Sequence, residues 1–136
     1  MVGGKVTGIH HIGIAVADLD ESIALYRSAL GAELVHRARS DKDGIEAAFM
    51  RTGEGEVELM SATTPDSPVG KFLAKRGPGL HHVAYGVADI VSALNDARTA
   101  GLELIDTEPR PGMHGSLIAF LHPKSMGGVL TELVQT

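Results

Sequence analysis

The sequence predicts an α+β protein of two βαβββ modules whose eight strands form a cup-shaped mixed sheet. Three observations lead there. First, the stretch Gly8-Ile9-His10-His11-Ile12-Gly13-Ile14-Ala15-Val16-Ala17-Asp18 returns as Gly79-Leu80-His81-His82-Val83-Ala84-Tyr85-Gly86-Val87-Ala88-Asp89, at an offset of 71 with six of eleven positions identical. Second, each copy is followed by a helical pattern that a glycine ends, Gly31 in one half and Gly101 in the other. Third, three strand-like stretches follow each helix. A repeat of this length marks a duplicated supersecondary unit.

In chain order, the first copy reads as a strand, because small and β-branched residues alternate up to Asp18. Asp18 is placed to cap a helix, with Glu21 at capping-box spacing and Ile23, Tyr26 and Leu30 as the apolar stripe. Gly31 stops it. Strands are expected over 32–38, 45–51 and 56–61. Ser61 to Ser67 is a polar, Pro-containing linker, and Val69 to Lys75 predicts a short helix ended by Gly77-Pro78-Gly79. The second copy repeats the plan: a strand to Asp89, a helix with Ile90, Leu94 and Ala97 on its buried face, a stop at Gly101, and strands over 102–107, 116–121 and 128–134. The expected organisation is one domain over 1–136, with module one at about 8–61, linker and short helix at 62–78, and module two at about 79–136. Two four-stranded sheets that cannot each bury a face alone are expected to pair with helices outside, leaving a concave inner surface.

Composition narrows the function classes. At 136 residues and 43% hydrophobic content the chain is long enough for one core. No apolar run approaches the ~20 residues of a membrane span, and Met1 to Thr7 lacks the pattern of a secretory signal, so a cytoplasmic location is expected. A net charge of −5 disfavours nucleic acid as a partner. With no cysteine, a metal must be held by His, Asp or Glu. Seven histidines beside only two Tyr and three Phe direct attention to imidazole chemistry.

Alternation along the strands separates the histidines. His10, Ile12, Ile14 and Val16 share one bulky face, suited to lie under a helix, while His11, Gly13 and Ala15 share the other. Module two repeats this, with Val83, Tyr85 and Val87 opposite His82, Ala84 and Gly86. A lone strand histidine is most simply a hydrogen-bonded structural residue, and His10 and His81 keep that reading. Duplication at matching positions makes His11 and His82 ligand candidates instead. Two imidazoles on a divalent ion call for oxygen ligands. Glu58 and Glu132 supply them, each within an apolar strand where a carboxylate is costly unless a positive group meets it. Glu56 has the parity of Glu58 but lies nearer the strand entry, where solvent reaches it. Four ligands leave about two octahedral positions for a substrate with two oxygens.

These residues resemble the vicinal oxygen chelate superfamily, with its glyoxalase-like fold. Asp66-Ser67-Pro68-Val69-Gly70-Lys71-Phe72-Leu73-Ala74-Lys75 and above all the run Phe120-Leu121-His122-Pro123-Lys124-Ser125-Met126-Gly127-Gly128-Val129-Leu130-Thr131-Glu132-Leu133 resemble its methylmalonyl-CoA epimerase family. The resemblance covers nearly the whole chain. It implies metal binding by His11, Glu58, His82 and Glu132, with cobalt or manganese favoured over zinc, nickel or iron. It also implies an acyl-CoA substrate, interconversion of (2R)- and (2S)-methylmalonyl-CoA through a metal-stabilised enolate, and a homodimer, to which exposed strand edges also point.

Within that expectation Glu132 is the first candidate for an acid/base group. Some members carry a glutamate where this chain has Ala47; the neighbouring Glu46 takes that role only if a bulge turns it to the other face. Lys124, ahead of Lys71, Lys75 and Arg76, is the candidate for the CoA phosphates, since its loop leads to the strand of Glu132. Competing readings are a glyoxalase I acting on a glutathione hemithioacetal, an extradiol dioxygenase, which wants three open metal positions, and a metal-free antibiotic-binding protein, which needs no His and Glu at the inner positions.

Overall fold

The computed structural model describes residues 6–136. The chain divides into two compact units: His11–His81, and a second made of residues 6–10 with His82–Thr136. Each contains four strands with one long helix over them.

In the first unit, β1 (Val6–Ala15, whose opening residues belong to the second unit) leads to α1 (Leu19–Leu30), β2 (Glu33–Ser40), β3 (Ile45–Thr52), β4 (Gly55–Ala62) and α2 (Pro68–Arg76). Its strands run in the order β2-β3-β4-β1, with β1 parallel to β4 and the other pairs antiparallel. The second unit carries β5 (Gly79–Val87, whose opening residues belong to the first unit), α3 (Ile90–Thr99), β6 (Arg110–Pro111), β7 (Leu117–Leu121), a 3-10 turn (Pro123–Ser125) and β8 (Thr131–Gln135), ordered β5-β8-β7-β6. Here β5 and β8 are the parallel pair. Both four-stranded sets are therefore mixed, as expected of strand–helix–three-strand modules.

The helices start and stop where their end residues satisfy free backbone groups. Asp18 accepts from the Glu21 N–H at 2.9 Å and Asp89 from the Ser92 N–H at 3.2 Å. Gly31 takes the left-handed conformation at φ 64°, and its N–H reaches the Arg27 carbonyl, closing α1. Under α1, Leu19 and Ile23 pack on Val16, Ala48, Met50 and Leu59; under α3, Ile90, Leu94 and Ala97 pack on Val87, Leu121 and Leu133. Full burial of each large aliphatic side chain contributes roughly 1.5–3 kcal/mol. Leu30, expected on the buried stripe of α1, is 64% exposed because it is the last residue of the helix and the chain turns away at Gly31.

Two strand expectations need correction. Residues 102–107 form no strand. Leu104 makes a single bridge to Leu121, and the Ile105 and Asp106 N–H groups both donate to the Phe120 carbonyl. The Asp106 carboxylate accepts the Phe120 N–H at 2.9 Å, taking the place of a ladder bond. The edge strand is the short β6 instead. The strand expected over 128–134 begins at Thr131, because Gly127 and Gly128 adopt φ of 67° and 95° in the turn before it.

Candidate metal centre

Register in the first unit places one histidine–glutamate pair. In the parallel β1–β4 ladder Gly13 lies opposite Glu58, so His11, two residues earlier, shares the face of Glu58. The opposite face carries Ile14 and Val16 into the α1 core, as alternation predicts. His11 Nε2 stands 3.3 Å from Glu58 Oε1, with side chains 1% and 7% exposed. Across the antiparallel β3–β4 ladder Phe49 faces Glu58, and its ring lies at 88° to the His11 imidazole with centroids 5.9 Å apart. His36 of β2 stacks on the same phenylalanine. Glu56 is half-buried opposite Arg51 in the ladder.

The second unit repeats the arrangement residue for residue. Ala84 lies opposite Glu132 in the parallel β5–β8 ladder, and Phe120 lies opposite Glu132 in the antiparallel β7–β8 ladder. His82 Nε2 stands 2.9 Å from Glu132 Oε1, and the His82 and Phe120 rings meet at 81° with centroids 5.5 Å apart. Much of the 120–133 motif builds the turn that sets this register: His122 Nδ1 accepts from the Lys124 N–H, and the Thr131 hydroxyl donates to the Val129 carbonyl.

Each pair has donor chemistry suited to a metal ion. A buried imidazole facing a buried carboxylate is satisfied either by a proton between them or by a cation that both ligate. Ligand bonds of about 2.1 Å meeting near a right angle place neighbouring donor atoms about 3.0 Å apart, and the observed separations of 2.9 and 3.3 Å fit that edge. Oxygen and imidazole donors suit a divalent first-row ion.

Glu46 is elsewhere. The β3–β4 register runs unbroken from Ile45 to Thr52, and the one irregularity nearby falls in β2, between Leu34 and His36. With no bulge in β3, Glu46 stays on the parity of Ala48 and Met50, the helix side, while Ala47 and Phe49 take the side of Glu58. There Arg37 binds it at 3.1 Å and ties it to Asp20 of α1 at 2.7 Å, the guanidinium pKa being raised first by Glu46 and then by Asp20. The expected role for Glu46 in proton transfer therefore loses its geometric basis. Lys71 and Lys75 are exposed on α2, and Lys124 is exposed in the 3-10 turn. His10 lies beside His114, and His81 packs against Phe72 of α2.

Sequence reading passed over several neighbours. Phe49 and Phe120 obey the same offset of 71 as the histidines, a signal present in the sequence but easily taken for core packing. Arg110 was hidden by its place in a two-residue strand. Its guanidinium lies over the Phe120 ring at 5.7 Å, and its Nε donates to Asp106 at 3.1 Å.

Comparison with known proteins identifies the family. Residues 10–120 match the model of the glyoxalase/bleomycin resistance protein/dioxygenase superfamily. The crystal structure of methylmalonyl-CoA epimerase from Mycobacterium tuberculosis is 42% identical, with a TM-score of 0.92 covering 96% of this chain and 88% of that one. A Streptomyces coelicolor methylmalonyl-CoA epimerase variant in complex with 2-nitronate-propionyl-CoA is also 42% identical, with a TM-score of 0.92 over 97% of this chain and 99% of that one. The ethylmalonyl-CoA/methylmalonyl-CoA epimerase of Cereibacter sphaeroides is 36% identical over 93% of this chain and 96% of its own length. A probable lactoylglutathione lyase of Synechocystis is more distant, at 32% over 93% of each chain. The chain belongs to the glyoxalase/bleomycin resistance protein/dioxygenase superfamily and, within it, to the methylmalonyl-CoA epimerase family.

Proposed function

We propose that this chain is a methylmalonyl-CoA epimerase in which His11, Glu58, His82 and Glu132 together hold one divalent metal ion. The observation that carries the reading is the duplicated, buried His–Glu pair in a chain 42% identical to an epimerase solved with an acyl-CoA analogue. When bound, the ion supplies Lewis-acid polarisation to the thioester carbonyl and carboxylate oxygens of the substrate, typically worth several kcal/mol.

The protein's own groups do the rest. Phe49 and Phe120 stand opposite the ligand carboxylates and keep water from them. The Glu132 carboxylate takes the C2 proton from one face. With Ala47 offering no ionisable group and Glu46 on the helix side, a water returns a proton to the other face, and the hydroxide it leaves takes the proton held by Glu132, restoring the carboxylate. Such a positioned acid or base contributes about 10² to 10⁴ in rate. Lys124, with Lys71 and Lys75 in support, meets the CoA phosphates. Cobalt or manganese is the favoured ion, ahead of zinc, nickel or iron, and the protein works as a cytoplasmic homodimer. Among the described residues no helix is long and apolar enough to cross a membrane.

The test is proton NMR of one epimer of methylmalonyl-CoA in deuterium oxide, with cobalt- or manganese-loaded protein and a metal-stripped control. Metal-dependent loss of the C2 proton signal with epimer interconversion is expected, and Glu132→Gln should slow it at least about 100-fold. Persistence of the signal with loaded wild-type protein would remove the epimerase reading, and full exchange by the variant would remove Glu132 from the chemistry.

A further inference from the structure

The duplication reaches beyond the ligands. In each unit a phenylalanine stands directly opposite the glutamate in an antiparallel ladder and turns its ring nearly perpendicular to the histidine, at 88° and 5.9 Å for Phe49–His11 and at 81° and 5.5 Å for Phe120–His82. Two ladders built from different sequences keep one three-residue geometry. The third phenylalanine, Phe72, lies on α2 and packs on His81, outside both pairs.

An imidazole donates to a metal through a lone pair in the plane of its ring, so rotation of that plane turns the donor away from the ion. Perpendicular aromatic packing opposes that rotation, because the positive edge of one ring rests on the negative face of the other. A leucine fills similar space without supplying either. The same phenyl ring also covers the glutamate across the ladder, lowering the local dielectric and strengthening its attraction for a cation.

We infer that Phe49 and Phe120 are positioning residues that fix the ring planes of His11 and His82 for metal binding, one in each module; the inference rests on the metal-site reading above. Groups that orient ligands without touching the ion typically change metal affinity about 10- to 100-fold when removed.

The experiment compares cobalt(II) affinity, by competition with a chelating dye, and the visible absorption of the cobalt-loaded protein. The proteins are wild type, Phe49→Leu, Phe120→Leu, the double variant, and Phe72→Leu as control. Each single variant should bind cobalt about tenfold more weakly, the double variant more weakly than either, both with altered cobalt bands, while Phe72→Leu matches wild type. Affinities within about twofold of wild type and unchanged bands in both single variants would overturn the inference while leaving the metal site standing. A wild type that fails to bind cobalt, or a His82→Ala variant that binds as well as wild type, would overturn the metal reading and this inference with it. Where a leucine variant does not fold, Phe→Met at the same position makes the comparison, since methionine fills the volume without a ring.

Discussion

Stripping the metal should lower the melting temperature of this protein by about 9 °C. Unfolding entropy near the transition is about 2.1 cal/mol/K per residue, or about 0.29 kcal/mol/K for 136 residues. An ion present at about 100 times its dissociation constant stabilises the folded state by about 2.7 kcal/mol, and the ratio is the expected shift. The two His–Glu pairs lie in separate ladders, His11–Glu58 at 3.3 Å and His82–Glu132 at 2.9 Å. If one ion is shared, His11→Ala and His82→Ala should each abolish the whole increment, although each removes one ligand of four. Each variant will also melt lower without metal, because a buried carboxylate loses its partner. The quantity to compare is therefore the loaded-minus-stripped difference for each protein, measured by differential scanning calorimetry alongside bound metal per chain by atomic emission. One ion per chain and no increment in either variant is the expected result. An unshifted wild type, or a single-histidine variant that keeps half the increment with its own ion, would refute the shared site.

Other consequences follow from particular contacts. Gly70→Ala should destabilise the protein by about 1–3 kcal/mol in urea unfolding, because an added Cβ would sit 2.6 Å from the Thr64 and Pro65 carbonyl oxygens, beneath the Ser67 hydroxyl that caps α2. Glu46→Gln should leave turnover within about twofold of wild type, since the group lies out of reach of the site, and should cost about 0–1 kcal/mol for the half-exposed Arg37 contact. Asp89 has its carboxyl pKa lowered from the ordinary 3.8, chiefly by the Ser92 N–H and then the Ser92 hydroxyl. Its cap thus contributes stability above that pH and loses it as pH falls through the depressed value. The melting difference between wild type and Asp89→Ala should therefore be present at neutral pH and shrink in acid below about 3.8; a difference that persists there would contradict the capping role.

The repeat carried most of the architecture in plain view. Hydrophobic alternation is a local property, so it told which face of β1 and β5 lies under a helix and which bears His11 and His82. Asp and Gly at helix ends act through their own backbone neighbours, and their positions were readable for the same reason. The Phe49/Phe120 match was visible at the offset of 71 but carries no chemistry of its own until a histidine is seen at right angles to it.

Other features depend on partners distant in sequence. Whether residue 46 or 47 shares the sheet face of Glu58 is decided by ladder register, and only the unbroken β3–β4 pairing turns Glu46 to Arg37 and leaves Ala47 on the site side. Residues 102–107 have a strand's alternation, yet the Asp106 carboxylate takes the Phe120 N–H that a ladder would have used, a competition between side chain and backbone across fourteen residues. The sequence by itself determined which residue types stand at the repeated inner positions, because alternation and duplication are written in the order of residues. Tertiary structure alone decided which of them meet, because hydrogen-bond register and side-chain competition are settled only when strands far apart in the chain lie side by side.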